Sequence, residues 1–204
     1  MVRTKGFVLD TNILISAFII RSSISAKVLA YCIYNGILLF SEETFFEFER
    51  VLLRPKFDKY VSKLERTQIL YRFSQEAQFK KVKSDFKICR DNNDNMLLNL
   101  ATDHNTCCIV TGDQDLLVLN PFENIPILTP IEFLSYFNDF DDSLVINEPK
   151  VAYTSPREKE LIEHPKRAIA EIPEIMRSIT KLQEEAARNG LTQEILERLL
   201  READ

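Results

Sequence analysis

Short apolar runs alternate along the first two thirds of the chain with segments whose apolar residues recur every three or four positions. Runs of the first kind predict buried strands, and periodicity of the second kind predicts amphipathic helices. Residues 7–9 form the first strand, and residues 12–20 continue as a helix with Thr11 or Asn12 as its cap. Residues 23–34 repeat the helical period, Asn35-Gly36 stops it, and residues 37–40 form a second strand. Ser41 then caps a helix over 41–57 that sets Phe45, Phe48, Val51 and Leu52 on one face, with Pro55 bending or ending it. One or two helices with a start at Thr67 fill 57–79, and residues 80–89 run extended and basic. A helix over 94–104 turns Met96, Leu97, Leu100 and Ala101 inward. Residues 107–111 and 125–128 are further strands, and Thr129-Pro130 opens a closing helix that ends near Phe137. Strands alternating with helices imply an α/β fold, a central parallel sheet covered on both faces.

The pattern changes after residue 140. Residues 141–156 carry scattered charge and prolines with no period, as a linker does. Residues 157–204 then read as a helical tail with two apolar stripes: Ile172, Ile175, Met176, Ile179, Leu182 and Ala186, then Leu191, Ile195, Leu196, Leu199 and Leu200, separated by Asn189-Gly190. The chain thus divides into a domain at 1–140, the linker, and the tail. Its 204 residues suffice for one large core. No apolar run approaches the roughly 18 residues of a membrane span, and the first residues lack a secretory pattern, so a cytoplasmic protein is expected. Four cysteines without C-x-x-C spacing read as buried thiols, and two histidines leave few members for a His-rich metal site or a Ser-His-Asp triad. A formal net charge of −5 does not advertise nucleic-acid binding, though a pocket built of carboxylates would itself contribute negative charge.

Certain acids fall at telling places. Asp10 ends the first strand, Glu47 lies in the helix after the second, Asp94 opens a helix after a loop, and Asp113 follows the next strand with Asp115 close behind. The carboxyl ends of parallel strands form the crevice where sites assemble, so these acids are expected to converge. Carboxylates gathered there repel one another unless cations neutralise them, and an oxygen-only donor set selects hard ions such as Mg²⁺ or Mn²⁺. Such ions activate water and stabilise charge on a phosphoryl centre, so no nucleophilic side chain is required. Each acid also has a plainer reading: Asp10 as a helix cap, Glu47 as part of a solvated face, Asp91 or Asp94 as a cap, Asp113 as a turn residue.

Taken together, the motifs carry a resemblance. Asp10-Thr11-Asn12 after a strand, the run from Ser41 to Phe57, Cys89-Arg90-Asp91 with Asp94-Asn95, and Val110-Thr111-Gly112-Asp113 with Asp115-Leu116 resemble the PIN-domain family over roughly residues 6–137. The likeness is nearest to toxin-like PIN proteins related to VapC-type ribonucleases. It implies a three-layer α/β/α fold and an acidic pocket holding Mg²⁺ or Mn²⁺ that cuts RNA by metal-activated water. Under that resemblance Asp10, Glu47, Asp94 and Asp113 are the catalytic metal-binding acids. Asn12, Thr111, Asp115 and Asp91 support the pocket, with Asp91 as the alternative to Asp94. Asn92 and Asn93 depart from the family's frequent proline and acid, and Met96 from its frequent lysine, without removing a ligand.

Phosphate contacts to RNA are expected from Arg54, Lys56, Lys81, Lys83, Lys87 and Arg90, although lysines over 80–90 equally suit a charged edge strand. The tail either packs on its own domain, makes a homodimer, or stands in for an antitoxin. The segment from Gly190 to Leu196 resembles the toxin-binding part of a small antitoxin, and Arg177 is the residue expected to reach the acids. The competing function is a catalytically silent PIN-fold interaction protein whose tail mediates dimerisation or partner binding.

Overall fold

The computed structural model describes residues 5–137 and 174–202. The expected linker over 141–156 and the start of the tail, including Ile172, lie outside the described residues. The chain runs β1 (Gly6–Leu9), α1 (Thr11–Ile19), α2 (Ile24–Asn35), β2 (Ile37–Phe40), α3 (Glu42–Leu52), a 3-10 turn (Pro55–Phe57), α4 (Lys63–Glu76) and β3 (Gln78–Phe79). It continues through α5 (Asn92–His104), β4 (Cys108–Val110), α6 (Gln114–Leu117), β5 (Ile127–Leu128) and α7 (Pro130–Tyr136), then α8 (Glu174–Arg188) and α9 (Gln193–Arg201). The strands form one five-stranded sheet in the order β3-β2-β1-β4-β5, and each of its pairings is parallel. This is the expected three-layer α/β/α arrangement.

Alternation along the strands sorts two cores. Phe7, Leu9, Leu38, Phe40, Cys108, Val110 and Leu128 point to one face, while Val8, Leu39, Ile109 and Ile127 point to the other. The first face carries the thicker layer, built on α1, α2, α3, α4 and α7 and continued by Ile175, Ile179, Leu182, Ala186, Leu196 and Leu199 of the tail. The second is covered chiefly by Leu97, Leu98, Leu100 and Ala101 of α5 and by Leu116 of α6. Helix α1 is buried almost all round because α2, α3 and α8 surround it, which is why its sequence shows no polar face. Among the described residues no single helix is long and apolar enough to cross a membrane.

Several element ends differ from expectation. Asp10, rather than Thr11 or Asn12, caps α1, accepting from the Asn12 backbone. A residue that ends a strand in extended conformation is already placed for the cap, and Thr11 is the first helical residue. Helix α4 starts after Ser62, whose hydroxyl accepts from the Glu65 backbone, and Thr67 sits inside it, donating to the Lys63 carbonyl at 2.9 Å. A mid-helix threonine can satisfy its hydroxyl that way without marking a start. Asp91 caps α5, leaving Asp94 in its first turn. Ser41 caps α3 as expected, in a reciprocal capping box with Thr44.

The extended basic stretch after β3 is not a sheet strand. Val82, Ser84 and Phe86 turn inward while Lys81, Lys83, Asp85 and Lys87 face solvent, and side chains of α5 replace a neighbouring strand. Asp103 accepts from the Lys83 and Ser84 backbones, Asn99 from Phe86 at 2.7 Å, and Asn95 from Ile88 and Cys89 at 2.9 Å each. The spacing of four puts these acceptors on one helix face, so α5 straps this segment down over about two turns.

The tail docks on α1 and α4 of its own chain. Helix α8 ends in a Schellman motif: Gly190 takes a left-handed φ of 81°, and the Gly190 and Leu191 amides donate back to Ala187 and Ala186. Gln183 donates to the Ala17 carbonyl at 2.6 Å, Asn189 to Tyr60 at 2.7 Å, and Lys56 to Glu202 at 2.7 Å. Among the described residues the tail's apolar stripes are covered within the chain, with Ile175, Ile179, Leu182, Ala186, Leu191, Leu196 and Leu199 buried. Arg177 is exposed on α8.

Candidate active site

The acids singled out by sequence gather at the carboxyl end of the sheet. Asp10 follows β1, where its backbone amide extends the sheet by donating to Val110 at 2.9 Å. One carboxylate oxygen accepts from the Asn12 amide at 3.2 Å, and the other from the Thr111 hydroxyl at 2.7 Å. Burial still raises the Asp10 pKa against those two bonds, and the charge of Asp113 adds to it. Thr111, fully buried after β4, also accepts from the Asp113 amide at 3.0 Å, so one hydroxyl ties two of the acids together.

Glu47 reaches the cluster from α3 and accepts from the Thr11 hydroxyl at 3.1 Å. Its pKa is raised by burial first, with Thr11 opposing, Asp10 raising, Arg50 lowering and Asp91 raising. Asp94 is the most perturbed. It is buried in the first turn of α5 and pushed up to about 7 by desolvation, then by Asp113, Asp10, Asp91 and Asp115. No donor among the described residues holds its carboxylate. Asp113 caps α6 by accepting from the Asp115 amide at 2.7 Å, and Asp91 caps α5 by accepting from Asn93 at 2.9 Å. Asp91 and Asp113 thus perform the plain capping role and face the cluster as well.

Two assignments shift. The Asn12 side chain is exposed, and only its backbone touches Asp10. Thr11 does the polar work instead, and the Asp-Thr-Asn run held that signal, since the first residue of a helix beside its cap faces the strand end. Among the expected RNA contacts, Lys81, Lys83, Lys87 and Arg90 are exposed on the strapped segment, with Lys87 paired to Asp85 at 2.9 Å and Arg90 to Asp115 at 3.1 Å. Lys56 is engaged by the tail, and the Arg54 carbonyl accepts from Arg66 at 3.2 Å.

The PIN domain family model matches residues 6–115, which include Asp10, Glu47, Asp94 and Asp113. The chain belongs to the PIN-domain family. It is also 32% identical over 144 residues to the uncharacterized protein MJ1680 of Methanocaldococcus jannaschii, a match covering 65% of this chain and 92% of that protein. PIN domains are nucleases as a class, usually supplied with divalent metals and acting on RNA, and the acid crevice is the chemistry such a domain needs. The donor set fits a hard divalent ion: carboxylate oxygens, mutually repelling, with no lysine or arginine paired to Asp10 or Asp94 among the described residues. Among those residues no group of three or more His, Cys, Asp or Glu side chains is drawn close enough to hold a metal as it stands.

Proposed function

We propose that this chain is a Mg²⁺- or Mn²⁺-dependent endoribonuclease, the cytoplasmic toxin component of a toxin-antitoxin system. The observation that carries this reading is the convergence of Asp10, Glu47, Asp94 and Asp113, in which the Asp10, Glu47 and Asp94 pKa values are raised by burial and by neighbouring acids. Such repulsion is the electrostatic signature of a site awaiting cations. Asp10, Glu47, Asp94 and Asp113 would hold the ion, which when bound lowers the pKa of water and neutralises charge building on the phosphoryl group.

The remaining work belongs to the chain. Thr111 fixes the rotamer of Asp10 and ties it to the Asp113 backbone, while Thr11 fixes Glu47. In the reaction a water oxygen bonds to phosphorus, the bond to the leaving nucleoside oxygen breaks, and that oxygen takes up a proton. His104 is not placed for this. Its ring N–H donates to the Lys81 carbonyl at 3.0 Å, at the far end of α5 from Asp94, roughly 15 Å along the helix. The strapped lysines supply phosphate contacts leading toward the crevice. The tail, docked on α1 and α4, is either a structural cover of its own domain or an in-chain antitoxin, and its removal separates the two.

The test is cleavage of single-stranded and structured RNAs with Mg²⁺ or Mn²⁺, comparing the natural chain with Asp10→Asn and Asp94→Asn. Loss of cleavage by at least a hundredfold in both variants supports the reading, whereas equal activity would sink it. Deleting residues 157–204 tests the tail: a faster, soluble nuclease supports inhibition, and a poorly soluble chain supports a purely structural role.

A further inference from the structure

Beside the acid crevice lies a second cleft, of about 280 Å³, with Ile88, Cys89 and Arg90 on one side and Asp115, Val118 and Leu119 on the other. The two are neighbours. Asp115 donates its amide to Asp113, and the Cys89 thiol is pushed up by burial and by Asp94, Asp115, Asp113 and Asp91.

Both walls are fixed. The buried amide of Asn95 spends its whole hydrogen-bonding capacity on the first wall: its oxygen accepts from Ile88 and Cys89, and its nitrogen donates to the Cys89 and Asp91 carbonyls at 3.2 and 3.3 Å. The second wall is the short helix α6, capped by Asp113 and packed through Leu116, with the turn after it, where the Val118 and Leu119 amides donate to Gln114 and Leu116. Between these rigid supports the apolar side chains stay open to solvent, Ile88 at 51% and Val118 at 75% exposure. At the rim Arg90 and Asp115 pair at 3.1 Å, leaving most guanidinium donors unspent on a side chain 89% exposed.

A phosphate does not suit this cleft, because Asp115 repels it and the walls are apolar. A flat ring with polar edges suits it. Sequence-selective RNA binding splays single-stranded bases out of the stack, lays them on side chains and bonds their edges. Guanine alone sets two adjacent N–H donors beside a carbonyl acceptor. The donors match the two oxygens of a carboxylate, and the acceptor matches an arginine next to it.

We propose that the cleft between residues 88–90 and 115–119 receives the base of a nucleotide flanking the scissile phosphate, and that Arg90 with Asp115 selects guanine there. This rests on the nuclease reading above and adds the base preference that reading lacks.

The experiment uses uridine-based RNAs of about ten nucleotides that carry a single A, C or G at each successive position. It reads cleavage with Mn²⁺, and binding by fluorescence anisotropy in EDTA, where no turnover occurs. Cutting beside guanine should exceed cutting beside the other bases roughly tenfold, the discrimination one good bidentate contact supplies. Arg90→Ala and Asp115→Asn should bring that ratio below about twofold, and Val118→Asp should weaken binding of the guanine RNA more than that of plain oligouridine. Cleavage without base preference, or a guanine preference unchanged in all three variants, would overturn the proposal and leave the nuclease reading standing. Guanine-selective binding without cleavage would support base selection by the cleft, but would sink the nuclease reading and overturn the placement beside a scissile phosphate. Absence of both cleavage and binding would overturn both.

Discussion

Two sets of withdrawn charge in this molecule have opposite surroundings. Arg66 on α4 is fully buried, and its guanidinium is spent inside the protein: it donates to the Val61, Leu52 and Arg54 carbonyls and pairs with Asp58. It knots the end of α3, the 3-10 turn and the start of α4 into one corner. Asp94 is nearly as withdrawn, at 9% exposure, yet what surrounds it is more negative charge. Arg66 is satisfied by its own chain, whereas Asp94 has no donor among the described residues, which is the state expected of a charge that an outside ligand would satisfy. The contrast separates the two kinds of residue better than burial does.

The largest effect should come from breaking the satisfied side. Arg66→Ala strands the Val61, Leu52 and Arg54 carbonyls and empties a fully buried site, and should cost about 3–5 kcal/mol in chemical denaturation. A loss under 1 kcal/mol would mean that this corner is not a structural knot. On the unsatisfied side the sign reverses. Asp94 holds its proton from the usual 3.8 up to about 7 in the fold, so unfolding releases a proton in that window and metal-free stability falls as pH rises through it. Asp94→Asn should therefore stabilise the metal-free protein at pH ~8 by on the order of 2–4 kcal/mol, with no gain below pH ~4. Adding Mn²⁺ should stabilise the natural chain and leave the variant nearly unmoved, readable by thermal melting.

A smaller effect is expected where the two kinds of residue meet. Thr111→Val removes the donor to Asp10 and the acceptor for the Asp113 amide, and should cost about 1–2 kcal/mol while raising the Asp10 pKa further. The shift can be followed by carboxyl NMR. Smallest is Asn99→Ala, which frees the Phe86 amide from its acceptor and should cost about 1 kcal/mol, with faster hydrogen exchange localised to the strapped segment. Exchange that speeds up evenly over α5 instead would show that the strap is not a separate unit.

Periodicity made most of the architecture legible, since the strands were short uninterrupted runs and the helices carried clear stripes. The Schellman end at Gly190 and the capping box at Ser41 had local signatures as well. What escaped lacks a local signature. Strand β3 is two exposed residues whose pairing is decided by β2, and α6 is a single turn whose helical bonds depend on Asp113 being held by Thr111. The strap was visible only as basic residues. The Asn95, Asn99 and Asp103 spacing that fastens it looks like any polar helix face until the facing backbone is known. At the site, Asp10, Glu47, Asp94 and Asp113 were legible because each sits at a strand end or on the helix that follows. Thr11 and Asn12 could not be separated, because which side chain faces Glu47 depends on where α1 begins.

The central claim is that the crevice between Asp10, Glu47, Asp94 and Asp113 is built to take a divalent cation. Crystals soaked in Mn²⁺ and measured for anomalous scattering test it most directly. A strong anomalous peak among those carboxylates, absent from Asp94→Asn crystals treated alike, is the predicted result. A crevice without manganese at a concentration that supports RNA cleavage would contradict it.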